Sequence, residues 1–196
     1  MESSRIGAIV ASAQAGDPAA YKSLLEAYGH RLFGYFLRAT SSQHDAEDLL
    51  GELMLKLVRQ LKAYKDQGRF DQWLFRIAAN MVRDRIRRRK AAMPTVSINT
   101  RDDRSQDIVD RLGSDDPPAD AALLAAEASG RLHEALGKLD EVTRQMVLLR
   151  HFGDMSFKEL AWTFDCPIGT VLAKVHRGLK SLRCIMEKME EQDGTD

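Results

Sequence analysis

Cysteine is nearly absent from this chain: 196 residues contain only two, Cys166 and Cys184. That excludes a disulfide scaffold and suits a reducing compartment. Either thiol could join His151 or His176 on a metal, but no Cys-x-x-Cys or paired-histidine spacing accompanies them, so no metal and no other cofactor is expected. No apolar run approaches the roughly 18 residues that a membrane helix needs, and Met1-Glu2-Ser3-Ser4-Arg5 does not lead into an apolar segment. A cytoplasmic protein without membrane insertion is the expectation. Net charge is lacking too, since 29 Lys and Arg offset 29 Asp and Glu.

The zero total hides an uneven distribution. Residues 1–94 hold sixteen Lys/Arg against ten Asp/Glu, residues 95–122 three against seven, and the remainder ten against twelve. A basic front and an acidic middle point to a polyanionic partner that like charge keeps away from the middle. With 44% apolar residues and a length between those of one and two domains, the chain can bury small cores.

Nearly every segment carries helical periodicity and none sustains two-residue alternation, so the expected fold class is all-α. Asp17-Pro18 should open a helix with Tyr21, Leu24, Leu25, Tyr28, Leu32 and Phe36 on one face, ending near Thr40-Ser41-Ser42. Asp45 is the expected cap of the next helix, whose apolar stripe is Leu49, Leu50, Leu53, Leu57, Leu61 and Tyr64. After a loop at 65–70, a helix from about Asp71 to Lys90 packs Leu74, Ile77, Ala78, Met81, Val82 and Ile86 inward. Residues 93–121 carry Asp102-Asp103, Asp115-Asp116 and Pro117-Pro118 with few aliphatics, and read as a flexible acidic linker between two small helical bundles, 1–92 and 122–196. In the second bundle a helix from about Ala121 to Leu139 precedes one that Asp140 caps and that runs from Glu141 to Phe152, where Gly153-Asp154 turns the chain.

Two surfaces in this plan carry chemistry. Ser156 and Glu159 form a capping box, Pro167 suits a first helical turn, and a long helix follows, which together are the parts of a helix-turn-helix. In that last helix Val171, Val175, Leu179, Leu182, Met186 and Met189 should face a core, leaving Thr170, Ala173, Lys174, Arg177 and Ser181 for groove entry. The plainer alternative is a helical hairpin with a solvated face. Upstream, Arg76, Asn80, Arg83 and Arg87 line up outward at spacings of four, three and four, beside Phe70, Trp73 and Phe75. Guanidinium groups pair with phosphates, rings stack on unpaired bases, and an asparagine can read a base edge, a set that suits single-stranded or melting DNA. Trp73 and Phe75 also fit a purely core role.

Four blocks, in order, resemble the extracytoplasmic-function sigma factors of the sigma-70 family over nearly the whole chain. They are Asp45-Ala46-Glu47-Asp48-Leu49-Leu50-Gly51-Glu52; Phe70-Asp71-Gln72-Trp73-Leu74-Phe75-Arg76-Ile77-Ala78-Ala79-Asn80 with the basic run after it; Leu139 to Arg150; and Cys166-Pro167-Ile168-Gly169-Thr170-Val171 with Arg177-Gly178-Leu179-Lys180. The resemblance implies that 1–92 is a region 2 domain and 122–196 a region 4 domain. Asp45, Asp48, Leu49 and Glu52 would dock on the β′ clamp helices of core RNA polymerase. Phe70, Trp73, Arg76, Asn80, Arg83, Asp84, Arg87 and Arg88 would bind the −10 element, with Asn80, Asp84 and the 65–70 loop at a base flipped from the non-template strand. Gly169, Thr170, Leu172, Ala173, Lys174, His176 and Arg177 would read the −35 element while the second bundle packs on the β flap.

The resemblance implies promoter DNA as a partner and allows an anti-sigma factor. Gly51 stands where the family commonly has Gln, and Leu172-Ala173 where it often has a basic or polar residue followed by Ser, so an unusual −35 preference is expected. A polymerase-independent helix-turn-helix regulator is the alternative function. An enzyme has little support, because no acidic or nucleophilic set accompanies a glycine-rich phosphate loop.

Overall fold

The computed structural model describes residues 2–92 and 130–193, with the side chains of 5–91 and 130–191. The acidic linker expected at 93–121, and the start of the helix expected from Ala121, lie outside the described residues. Every regular element described is helical, and the helices fall into two units. No described helix is long and apolar enough to cross a membrane.

The first unit comprises α1 (Glu2–Gln14), α2 (Pro18–Thr40), α3 (Gln43–Gln60), a 3-10 turn at Leu61–Ala63 and α4 (Phe70–Ala92). Helix α1 lies ahead of the first helix expected from the sequence, and its Val10 and Ala13 are buried. Asp17 caps α2 by accepting from the Ala19 N–H at 2.9 Å, with Pro18 following it. The helix ends where Ser41 turns into the left-handed region at φ 56° and donates its N–H to Leu37 O. Ser42, not Asp45, caps α3: its hydroxyl accepts from the Asp45 N–H at 3.2 Å, which puts Asp45 inside the first turn. The core is formed by Leu24, Leu32, Tyr35 and Phe36 of α2, Leu49, Leu53 and Leu57 of α3, and Leu74, Phe75, Ala78 and Val82 of α4. Burying each large side chain contributes about 1.5–3 kcal/mol. Leu25 is 42% exposed, and Tyr21, Leu50, Ile77 and Ile86 are half-buried, because α2, α3 and α4 turn narrower faces inward than the sequence stripes suggest.

The second unit comprises α5 (130–137), α6 (Glu141–Phe152), α7 (Phe157–Phe164) and α8 (Ile168–Asp193). Asp140 caps α6, its carboxylate accepting from the Thr143 N–H at 3.1 Å. Arg150 donates to Met155 O at 2.5 Å and covers the Phe157 ring at 4.9 Å, pinning the turn from α6 to α7. The Ser156–Glu159 capping box opens α7 with both reciprocal bonds present. Asp165 then takes φ 49°, and the carbonyl of Pro167 accepts the first bonds of α8, from Thr170 at 2.9 Å and Val171 at 3.3 Å. Pro167 therefore precedes the helix rather than sitting inside its first turn. The buried row of α8 is Val171, Val175, Gly178 and Leu182 at steps of four, three and four. Leu179, expected in the core, is 52% exposed, and Met186 and Met189 are half-buried. The physical reason is Gly178. A side chain there would place its Cβ 2.5 Å from Thr143 Cγ2, so α6 and α8 meet on a bare backbone and Leu179 turns aside.

Candidate polymerase and DNA interfaces

The acidic face of α3 is tied to α4 by one guanidinium. Arg85 reaches Asp45 at 2.7 Å and Asp48 at 3.5 Å through Nη1, and Glu52 at 3.1 Å through Nη2. Arg89 approaches Asp45 at 4.0 Å. Asp45 is the most enclosed of the three acids, at 18% side-chain exposure against 43% for Asp48 and 45% for Glu52. Asp48 and Glu52 thus keep the more open oxygen surface, while Asp45 mainly holds Arg85. Leu49 is fully buried and belongs to the core, so its place in the docking surface is corrected to a supporting one. Sequence reasoning passed over Arg85 because it lies within a run of basic residues and is marked only by its inward-facing register.

On α4 the loop that precedes the helix is fixed by aromatics. Tyr64 packs on Trp73 with centroids 4.6 Å apart and on Phe70 at 5.5 Å, and Phe70 packs on Tyr28 at 5.5 Å. Phe70 is only 4% exposed and Phe75 is fully buried. Neither ring has a face for a base, so Phe70 is corrected to a support for the half-buried pair Tyr64 and Trp73. Asp66 accepts from the Tyr64 hydroxyl at 3.3 Å and the Gly68 N–H at 2.9 Å, with Gly68 at φ 69° closing the turn. Burial and the neighbouring Asp66 carboxylate raise the Tyr64 phenol above its ordinary pKa. Asp71 accepts hydrogen bonds from Tyr28 and from Arg31, the latter at 3.0 Å, anchoring the start of α4.

Outward from there, Asn80 is exposed and its Oδ1 accepts from Arg83. Asp84 holds Arg87 at 2.5 Å, and its backbone carbonyl accepts from Arg88 at 3.3 Å. These three residues and Ala91 line an open recess of about 440 Å³. Arg76 is half-buried.

On α8, Gly169, Thr170, Leu172, Ala173, His176 and Arg177 are all exposed. Lys174 is half-buried and paired with Asp140 at 3.5 Å, while Arg177 folds its Nε onto Ala173 O at 3.2 Å. At 100° per residue the positions opposite the buried row are Gly169, Ala173, His176, Arg177 and Lys180, whereas Leu172 shares a flank with Leu179. Lys180 belongs to the exposed face and was missed, because the expected core row was drawn through Leu179 instead of Gly178. Among the described residues no group of three or more His, Cys, Asp or Glu is placed to hold a metal ion, and Cys166 and Cys184 are free thiols.

A four-helix unit with an acidic face on α3 and a basic face on α4, together with a helix-turn-helix unit, defines a DNA-binding protein of two all-α modules. Residues 24–92 match the family model for Sigma-70 region 2 and residues 129–182 that for Sigma-70, region 4, which together cover more than half of the chain. The chain is 27% identical over 174 residues to the RNA polymerase sigma-H factor of Pseudomonas aeruginosa, covering 89% of this chain and 90% of that protein. It is 30% identical to the ECF RNA polymerase sigma factor SigE of Mycolicibacterium smegmatis, over 88% of this chain and 65% of that protein. Two solved structures share the fold: CnrH in complex with the cytosolic domain of CnrY, and the sigma factor RpoE in complex with the anti-sigma factor NepR from Bartonella quintana. The first has TM-score 0.62 at 21% identity over 92% of this chain and 96% of that one; the second has 0.57 at 21% over 85% and 94%. The chain belongs to the sigma-70 family, among its extracytoplasmic-function sigma factors.

Proposed function

We propose that this chain is a promoter-specificity subunit of bacterial RNA polymerase, acting in the cytoplasm, non-catalytic itself, and directing the core enzyme to −10 and −35 elements. The observation that carries the reading is the occurrence, in one chain, of the α4 face with its Asn80 amide and Tyr64–Trp73 pair and of a helix-turn-helix presenting α8. Residues 1–92 are assigned to polymerase docking and −10 melting, 93–121 to a linker, and 122–196 to −35 recognition.

The roles follow from the local chemistry. Asp48 and Glu52 present carboxylates to a basic surface of core polymerase, the β′ clamp helices by resemblance. Extruding a base from the duplex costs a few kcal/mol, which stacking on Trp73 and a hydrogen bond from Asn80 offset. Arg76, Arg83, Arg87 and Arg88 hold phosphates, with Asp84 orienting Arg87 and Arg88 toward them. On α8, Arg177 and Lys174 hold phosphates, Lys180 joins them, and Gly169, Thr170, Ala173, His176 and the flanking Leu172 meet base edges and thymine methyls. An anti-sigma factor is a further partner class, as the Bartonella quintana relative was solved with one.

Because Arg85 grips both acids, charge reversal at Asp48 and Glu52 would set two lysines against it. Asp48→Asn with Glu52→Gln keeps acceptors for Arg85 and removes only the charge. The double variant should fold as the native chain does and lose affinity for core polymerase. Native core binding by that variant would remove α3 from the docking surface.

A further inference from the structure

We propose that Gln14, the last residue of α1, is the positioning residue that sets the loop at 64–69. This inference rests on the reading of that loop as the one that meets the flipped −10 base. The region 2 family match begins at residue 24, so α1 lies outside it. Yet α1 is built against the loop at two points.

The Gln14 side-chain amide donates both of its N–H groups to loop carbonyls: Nε2 lies 2.9 Å from Leu61 O and 2.7 Å from Tyr64 O. Leu61 O also accepts the Tyr64 N–H at 3.0 Å, so the three atoms close the 3-10 turn on itself. A backbone carbonyl left without a partner in a part-buried site is costly, and a side-chain amide with two donors can satisfy two at once. Farther back on α1, a Cβ at Gly7 would lie 3.1 Å from Asp66 Oδ2, so this helix also flanks the acid that shapes the turn.

Gln14 is itself held firmly. Val10 and Ala13 anchor α1 in the core, Ser12 Oγ donates to Asp17 at 2.9 Å, and the Asp17 N–H returns to Ser12 O at 3.2 Å. The clamp therefore transmits the position of the α1–α2 corner to Tyr64. Tyr64 carries the ring that stacks on Trp73 and the hydroxyl that reaches Asp66. Fixing Tyr64 O fixes the backbone from which the loop departs, and with it the distance between the loop and Asn80. Donation to two carbonyls is the whole of the role, and nothing in it requires Gln14 to touch DNA.

The test compares holoenzymes carrying the native chain, Gln14→Met, Gln14→Lys and Asn80→Ala on promoters with each base in turn at every −10 position, as duplex and as pre-melted bubble. Methionine keeps the length and removes both donors; a lysine ammonium retains them. Gln14→Met should lower discrimination roughly tenfold at the position that Asn80 reads, the scale of one to two lost hydrogen bonds. The loss should be alike on duplex and bubble, with core affinity and the other positions unchanged, and Gln14→Lys should restore most of it. Unchanged discrimination in Gln14→Met beside a lost preference in Asn80→Ala overturns the clamp alone. No change in either variant overturns the loop reading as well. An equal loss at every position, a fall in core affinity, or a Gln14→Lys variant no better than Gln14→Met makes Gln14 a general packing residue and also overturns the proposal.

Discussion

Both units have ion pairs that join neighbouring helices, and the surroundings of Arg85 in the first and Lys174 in the second differ. Arg85 and Asp45 in the first unit are 22% and 18% exposed, and the same guanidinium also serves Asp48 and Glu52. Lys174 and Asp140 in the second are 31% and 60% exposed, and Asp140 also caps α6 through Thr143. Exposed pairs contribute little to stability, whereas a shared, enclosed guanidinium constrains two helices at once. In the first unit, then, the acids of α3 are held to α4 through Arg85 and Arg89, on the side of that helix away from Arg76, Asn80, Arg83 and Arg87. In the second, α8 is set by the capping box, the Asp165 turn and the Gly178 contact, so its exposed side chains can vary without moving the helix.

The largest effect should come from the backbone contact. Gly178→Leu forces a side chain into the 2.5 Å gap at Thr143, and overpacking of this kind costs about 3 kcal/mol. Thermal unfolding should show the loss in the second unit while the first keeps its transition; an unchanged second transition would mean that α6 and α8 do not meet there.

Next comes the network. Arg85→Met leaves three carboxylates facing one another and should destabilise the first unit by about 2 kcal/mol, the scale of hydrogen bonds to charged groups. Lys174→Met should cost under about 1 kcal/mol. Denaturant midpoints of the two variants would decide this, and equal losses would erase the contrast between the units.

The smallest effect concerns acid. Against a burial penalty that acts the other way, the hydrogen bonds from Thr143 and the charge of Lys174 hold the Asp140 carboxyl below its ordinary 3.8. A depressed folded-state pKa gives stability that is complete above the unfolded value and fades as pH falls through the folded one. The Asp140 contribution should therefore survive down to about pH 4 and disappear below it. In Lys174→Met the folded-state pKa of Asp140 should rise toward its ordinary value, as NMR titration of the side chain would report, so that the contribution is smaller and its loss is complete at a higher pH.

Much of the fold was legible because caps and apolar periods are local. Asp17, Asp140 and the Ser156–Glu159 box all close as their residue types require. Asp45 misled because both it and Ser42 are good caps, and only the backbone geometry selects between them. Leu179 misled because hydrophobicity cannot reveal that a glycine, three residues after Val175, occupies the core row. Of the candidate sites, the exposed faces of α4 and α8 could be traced from spacing. What spacing could not supply was partnership across helices: Arg85 among a run of arginines, or Gln14 reaching carbonyls 47 and 50 positions away.

A sigma factor confers promoter choice on core polymerase. The most direct test of that role is run-off transcription by core polymerase, with and without the chain, on a library randomised at the −10 and −35 elements. Initiation should occur only when the chain is added, from templates sharing one −10 and one −35 sequence, with Asn80→Ala relaxing a −10 position and Arg177→Ala weakening all −35 variants nearly uniformly. Stable binding of the isolated chain to duplex DNA, with no chain-dependent initiation, would contradict it.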